Sequence, residues 1–174
     1  MLGKTIITRE EIAAMVSKVA EEINRDLGEE PAVFIGVLKG CVFFFTDLVR
    51  RLKPKVEIDF IQVSSYGHST KSSGTVSLVK DITADVRNRH VFLVEDIVDT
   101  GTTLNDVANM IRARHPKSVR IVSLLSKPSR RKVDVDIAFL GAEIDDVFVV
   151  GYGLDFGEKY RNLEEIHEYI PDPE

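Results

Sequence analysis

Three carboxylates and a hydroxyl-rich turn stand together in Glu95-Asp96-Ile97-Val98-Asp99-Thr100-Gly101-Thr102-Thr103. Thr100 to Thr103 sets hydroxyls and consecutive backbone N–H groups around a glycine at the start of a helix, which makes a nest for a phosphate. Glu95, Asp96 and Asp99 would repel a bare phosphate. A ligand with distinct parts removes the conflict. Carboxylates accept hydrogen bonds from sugar hydroxyls, or hold Mg²⁺ through water, while the turn takes a phosphate on the same sugar. A ribose 5-phosphate fits that description. A solvated strand end followed by a helix cap would explain one Asp-Thr-Gly, but not the whole set.

These residues need a strand before them and a helix after. Val91-Phe92-Leu93-Val94 is a short apolar run rich in β-branched and aromatic residues, as a buried central strand is. Leu104-Asn105-Asp106-Val107-Ala108-Asn109-Met110-Ile111 has helical spacing. A strand, a polar turn and a helix in that order put the turn at the carboxyl edge of an α/β sheet, where such folds bind ligands.

The flanking chain supplies the rest of a sheet. Thr8-Arg9-Glu10-Glu11 is a capping box, and Ile12, Met15, Val16, Val19, Ile23 and Leu27 recur at helical spacing up to a stop at Gly28. Ala32 to Leu38 reads as a second buried strand. It runs into Lys39-Gly40 and an apolar helix from Cys41 to Leu52, so Lys39-Gly40 also stands at a carboxyl edge. Val56 to Ser64 roughly alternates, with Ile58, Phe60 and Val63 as candidate core residues. Residues 64–74 are small, polar and glycine-punctuated, and too long for a hairpin turn; a segment of this kind is expected to be an active-site lid. Thr75 to Lys80 returns as a strand. Val119 to Leu125 is the next one, and Lys127 is the first charge after it, on the edge that carries Asp99. The cluster Ser129-Arg130-Arg131-Lys132 reads as a solvated turn. Ile137 to Leu140 and Val147 to Val150 are the last short strands. Ile166 to Ile170 alternates and is expected to pair near Thr5-Ile6-Ile7 as a small cap.

The 174 residues suffice for one full core and leave little room for a second domain. A net charge of −5 argues against nucleic acid as the main partner. No apolar run approaches a membrane span, and Met1-Leu2-Gly3-Lys4 lacks the apolar core of a signal peptide. The single Cys41 excludes an internal disulfide and leads us to expect a reducing, cytoplasmic setting.

The stretch Val94 to Thr103 resembles the phosphoribosyl-pyrophosphate signature of the type I phosphoribosyltransferases, and within them it looks closest to the hypoxanthine-guanine branch. The resemblance runs in correct order from Lys39 to Arg161. It implies an α/β fold with a mainly parallel central sheet flanked by helices, and a small hood from residues 1–8 and 151–174. Thr102 departs from members that carry Lys there, but its hydroxyl and amide still donate.

The resemblance also implies roles. Glu95, Asp96, Asp99, Thr100, Gly101, Thr102 and Thr103 would bind the ribose and 5-phosphate. Lys39, Gly40, Ser65, Tyr66 and Arg161 would bind pyrophosphate. Lys127, Phe148, Val149 and Asp155 would bind the purine, with Lys127 on the exocyclic oxygen of a 6-oxopurine. Glu95, Asp96 and Asp155 would hold Mg²⁺, and Asp99 would act as general acid/base at N7. The implied reaction moves a 5-phosphoribosyl group from phosphoribosyl pyrophosphate to N9 of hypoxanthine or guanine, in a homo-oligomer that is a dimer or tetramer. A regulator of the same fold, binding nucleotide and RNA or DNA without turnover, is the competing class; the acidic balance and short chain disfavour it. A P-loop nucleotidase would need Gly-x-x-x-x-Gly-Lys-Ser/Thr, which is absent, and a phospho-receiver has no use for the Thr-Gly-Thr-Thr turn.

Overall fold

The computed structural model describes residues 1–53, 55–64 and 76–171. Its centre is a six-stranded sheet in the order β4-β3-β2-β5-β6-β7. The strands are β2 (Ala32–Leu38), β3 (Val56–Ser64), β4 (Ser77–Lys80), β5 (His90–Val98), β6 (Ser118–Ser126) and β7 (Ile137–Glu143). All neighbours are parallel except β3 and β4. The helices α1 (Arg9–Leu27) and α2 (Val42–Val49) cover one face, and α3 (Thr102–Arg112) covers the other. The two faces account for the unbroken apolar runs of β2 and β5. Phe34, Phe92 and Val94 pack towards the side of α1 and α2, whereas Val33, Ile35, Val91 and Leu93 pack with Leu104, Val107 and Ile111 of α3. The Phe34 and Phe92 rings stack across β2 and β5 at 4.4 Å.

The helix start expected at Thr8 forms as a full capping box: Thr8 Oγ1 accepts from the Glu11 amide at 3.2 Å, and Glu11 accepts from the Thr8 amide at 2.8 Å. Gly28, at φ +60°, ends that helix. The helix expected from Cys41 to Leu52 is shorter. Past Val49 the bonds tighten to Arg51 N–Leu48 O and Leu52 N–Val49 O, and the chain unwinds into turns.

A second sheet, in the order β1-β9-β8, joins the two ends of the chain. It contains β1 (Leu2–Ile7), β8 (Val149–Val150) and β9 (Ile166–Tyr169). The expected pairing of the terminal segments is present, with Thr5 opposite His167 and Ile7 opposite Ile166. The strand expected from Val147 to Val150 keeps only its last two residues, and these bond to β9 rather than extend the parallel sheet. Among the described residues no helix is long and apolar enough to cross a membrane.

One expectation for the core fails at β3. Ile58 is 52% exposed, while its polar neighbour Asp59 is buried. Asp59 turns inward because amides wait for it: it accepts from Phe60 N at 2.7 Å, Thr83 N at 2.6 Å and Ala84 N at 2.8 Å. Burial raises the cost of its charge, but these amides and Lys80 outweigh that and hold its carboxyl below the usual 3.8. A depressed folded-state pKa stabilises above the unfolded value and is lost as pH falls through the folded one. Asp59→Asn should therefore cost about 1.5–3 kcal/mol at neutral pH. The gap between wild type and variant in urea denaturation should narrow below about pH 4, as Asp59 protonates. A gap that is constant from neutral to acid would show that the charge plays no part.

Candidate active site

The strand order reverses between β2 and β5: from β2 the chain moves to one side through β3, then returns to the other side with β5. The β2–β5 pairing runs from Ala32 opposite His90 to Gly36 opposite Val94 and goes no further. A crevice therefore opens at the carboxyl ends, with Lys39-Gly40 on one wall and the acidic segment on the other. Glu95 and Asp96 lie within β5, and Asp99, Thr100 and Gly101 make the turn into α3. Gly101 occupies the N-cap at φ +84°, where no side chain caps the helix. A Cβ there would meet Val135 Cγ2 at 2.7 Å and the Val133 carbonyl at 2.9 Å, so glycine is needed for both conformation and space. Thr100 Oγ1 lies 3.4 Å from both the amide and the hydroxyl of Thr102. The first-turn amides of Thr103 and Leu104 meet no acceptor among the described residues, which leaves a helix N-terminus open to an anion.

Glu95 and Asp96 are half-buried neighbours. Glu95 accepts from the Asp96 amide at 3.1 Å, and Asp96 accepts from Ile97 N at 2.7 Å. Burial, and then the charge of Asp96, push the Glu95 carboxyl well above its usual range. Burial likewise raises Asp96, against the pull of its hydrogen bonds and of Arg161. Two crowded carboxyls of this kind favour a partner that brings positive charge or hydroxyl donors. Among the described residues no three His, Cys, Asp or Glu side chains converge as a metal cage. A cation that binds through one or two carboxylates, its own waters and a ligand phosphate needs no cage, and Mg²⁺ behaves in that way.

The Lys39-Gly40 turn closes over this pair. The Leu38–Lys39 peptide is cis. A Cβ on Gly40 would lie 1.8 Å from Asp96 Oδ2, so the turn rests directly on the acidic segment. On its other side Gly153, at φ +100°, brings its Cα so close that a Cβ would fall 2.0 Å from the Gly40 carbonyl. Arg161 fastens that approach, donating Nη1 to the Gly153 carbonyl at 2.7 Å and pairing through Nη2 with Asp155 at 3.1 Å. Glu158 was missing from the sequence reading. It bridges Lys39 Nζ at 3.0 Å and Arg161 Nη2 at 3.2 Å, and Lys39, with Arg161, holds its carboxyl below the usual range. A carboxylate between two cations marks a position suited to an anion. Gly153→Ala should push the Lys39-Gly40 turn away and add left-handed strain of about 1–3 kcal/mol. Thermal unfolding should register the change as a lowered midpoint. A variant with an unaltered midpoint would mean that the close approach is unimportant.

On the far side of β5 stands Lys127. It is only 7% exposed, and among the described residues its ammonium has no hydrogen-bond or ion-pair partner. Its amide donates to the Val98 carbonyl at 2.9 Å, which ties it to the strand that carries Asp99. The basic cluster after it is not the solvated turn expected. Arg130 Nε donates to Asp99 Oδ1 at 3.1 Å, and Arg131 Nη1 donates to the Asp99 carbonyl at 2.7 Å. Phe148 is 48% exposed, with its ring edge-on to Phe156 at 5.8 Å and to Tyr169 at 6.0 Å. Val149 is buried in β8. Ser65 and Tyr66, with the lid expected over residues 64–74, lie outside the described residues except for Ser64. Neither Glu158 nor the two arginines had a signal in sequence, since Lys39 lies 119 residues from Glu158 and Asp99 lies 31 and 32 residues from Arg130 and Arg131.

Comparison with known proteins agrees with this arrangement. The family model described as "Phosphoribosyl transferase domain" matches residues 4–157. A hypoxanthine-guanine phosphoribosyltransferase of Bacillus subtilis (strain 168) is 45% identical over 162 residues, covering 93% of this chain and 90% of the relative. One from Staphylococcus aureus (strain Mu50) is 40% identical over 171 residues, covering 98% and 96%. A solved structure of a hypoxanthine-guanine phosphoribosyltransferase from Bacillus anthracis superposes with a TM-score of 0.93 at 42% identity, covering 98% of this chain and 100% of that one.

Proposed function

The chain belongs to the hypoxanthine-guanine phosphoribosyltransferase family, and from that premise we propose that it moves a 5-phosphoribosyl group from phosphoribosyl pyrophosphate to N9 of hypoxanthine or guanine. The products are IMP or GMP and pyrophosphate, which makes the reaction one of purine salvage. The observation that carries this reading is the crevice at the switch point. It has an open helix N-terminus, a pair of crowded carboxyls beside it, and an anion position between Lys39 and Arg161 on the opposite wall.

Each part of the substrate finds a chemically matched group. The Thr100–Thr103 turn and the first amides of α3 take the 5-phosphate. Glu95 and Asp96 accept from the ribose hydroxyls. Lys39, the Gly40 amide and Arg161 take the pyrophosphate, which must displace Glu158 from its place between the two cations. Lys127 donates to the 6-oxo group, Phe148 covers one face of the base, and the Val149 backbone meets its edge. Mg²⁺ would be held by one or two of the carboxylates of Glu95, Asp96 and Asp155, and it would supply neutralising charge to the leaving group.

The sugar passes through an oxocarbenium-like state as its bond to pyrophosphate lengthens. The chain's own contribution is to hold the ring while N9 approaches, and to keep Asp99 at N7, where it takes the proton that the base sheds as N9 bonds to the sugar and passes it to solvent. A lid over residues 64–74, with Ser65 and Tyr66 against the pyrophosphate, would exclude water from that state. The family premise also supports a cytoplasmic homo-oligomer, a dimer or tetramer.

The direct test supplies hypoxanthine, guanine or xanthine with phosphoribosyl pyrophosphate and Mg²⁺, and follows nucleotide formation by absorbance. Turnover with hypoxanthine or guanine is expected. Tight binding of phosphoribosyl pyrophosphate with no turnover on any base would overturn the reading in favour of a regulator.

A further inference from the structure

The proposed acid/base Asp99 and the proposed base-reading Lys127 lie just beyond the last paired residues of β5 and β6, Val98 and Ser126. One side chain reaches both loops. Arg131 donates Nη1 to the Asp99 carbonyl at 2.7 Å and Nη2 to Ser126 Oγ at 2.6 Å. Ser126 is 1% exposed, so the second anchor lies inside the protein. The stem of Arg131 passes beneath the turn: a Cβ on Gly101 would meet its Cδ at 3.2 Å. The following amides, of Lys132 and Val133, donate to the Thr100 carbonyl at 2.9 and 3.2 Å. The phosphate turn is thus braced by backbone, and the spacing of the two loops by the guanidinium.

A 6-oxopurine presents O6 and N7 on one edge. Its two partners must therefore arrive together at a matched spacing, and small displacements of such groups are costly. We propose that Arg131 is a positioning residue. Resting on the function proposed above, it sets the distance between the N7 group Asp99 and the O6 donor Lys127 without touching the substrate. The planar fork of an arginine can hold two acceptors at fixed separation, and a lysine at this position cannot.

The test compares hypoxanthine with 7-deazahypoxanthine, which lacks N7, as competing ligands of the loaded enzyme. Wild type should prefer hypoxanthine by about tenfold or more, the worth of a hydrogen bond to a charged group. In Arg131→Met and Arg131→Lys that preference should collapse towards one, while the KM for phosphoribosyl pyrophosphate changes by no more than about threefold, because backbone amides brace its turn. Ser126→Ala removes one anchor and should lower the preference part of the way. It also carries the test if the Arg131 variants do not fold. A merely structural Arg131 would lower the midpoint of unfolding and the active fraction but leave the preference intact. An intact preference in a folded Arg131 variant, or in Ser126→Ala if the Arg131 variants do not fold, overturns the proposal. A wild-type enzyme indifferent to N7 would overturn the role of Asp99 first, and this proposal with it.

Discussion

Asp99→Asn should lower kcat by about a hundred- to ten-thousand-fold, the usual worth of a single general acid/base, the role proposed for Asp99. The substitution keeps the size of the side chain and an oxygen that can still accept from Arg130 Nε, now 3.1 Å away. The carbonyl held by Arg131 is untouched, so the turn keeps its place. What the proposed role would lose is the capacity to take the proton from N7. The ion pair with Arg130 is exposed, with side chains 43% and 48% accessible, so its removal costs stability only about 0–1 kcal/mol. The affinity for phosphoribosyl pyrophosphate should stay within about threefold, since its 5-phosphate meets the amides and hydroxyls beyond Asp99. Pre-steady-state bursts separate chemistry from product release, and the loss should fall on the burst itself. Undiminished turnover at saturating substrates would reduce Asp99 to a turn residue.

The parts legible in sequence are those whose chemistry is local. Glu95 to Thr103 is contiguous, so its carboxylates and its phosphate turn could be read together, and so could the strand before them and the helix after. The pairing of Ile166 to Ile170 near Thr5-Ile6-Ile7 was legible because the C-terminal segment alternates, and a sheet half covered on one side needs that period. What could not be read depends on distant partners. Ile58 and Asp59 exchange their expected places because three amides, two of them more than twenty residues away, satisfy the carboxylate inside. Glu158 joins Lys39 across 119 residues, and Arg130 meets Asp99 across 31. An exposed acid after a Gly, or a run of basic residues after a Pro, looks the same in sequence whether it is solvated or paired. Val149-Val150 is a further case: two β-branched residues suit either sheet, and only the bonding to β9 decides between them.

Lys127→Met should separate stability from function. Lys127 is 7% exposed and has no partner for its charge among the described residues. A methionine of similar length keeps the packing of the buried stem. The midpoint of thermal unfolding should therefore hold to within about 2–4 °C, the shift that 1 kcal/mol makes in a chain of this size. On the role proposed for Lys127, the base loses a charged donor at the 6-oxo group, worth about 1.5–3 kcal/mol, so the KM for hypoxanthine should rise roughly ten- to a hundredfold. The constant for phosphoribosyl pyrophosphate should barely move. Scanning calorimetry and initial rates on one preparation read both quantities. A lowered midpoint with an unchanged purine KM would mean that Lys127 serves the fold and that another group reads the base. A rise in the phosphoribosyl pyrophosphate constant instead would move Lys127 to the anion side of the crevice, beside Lys39 and Arg161.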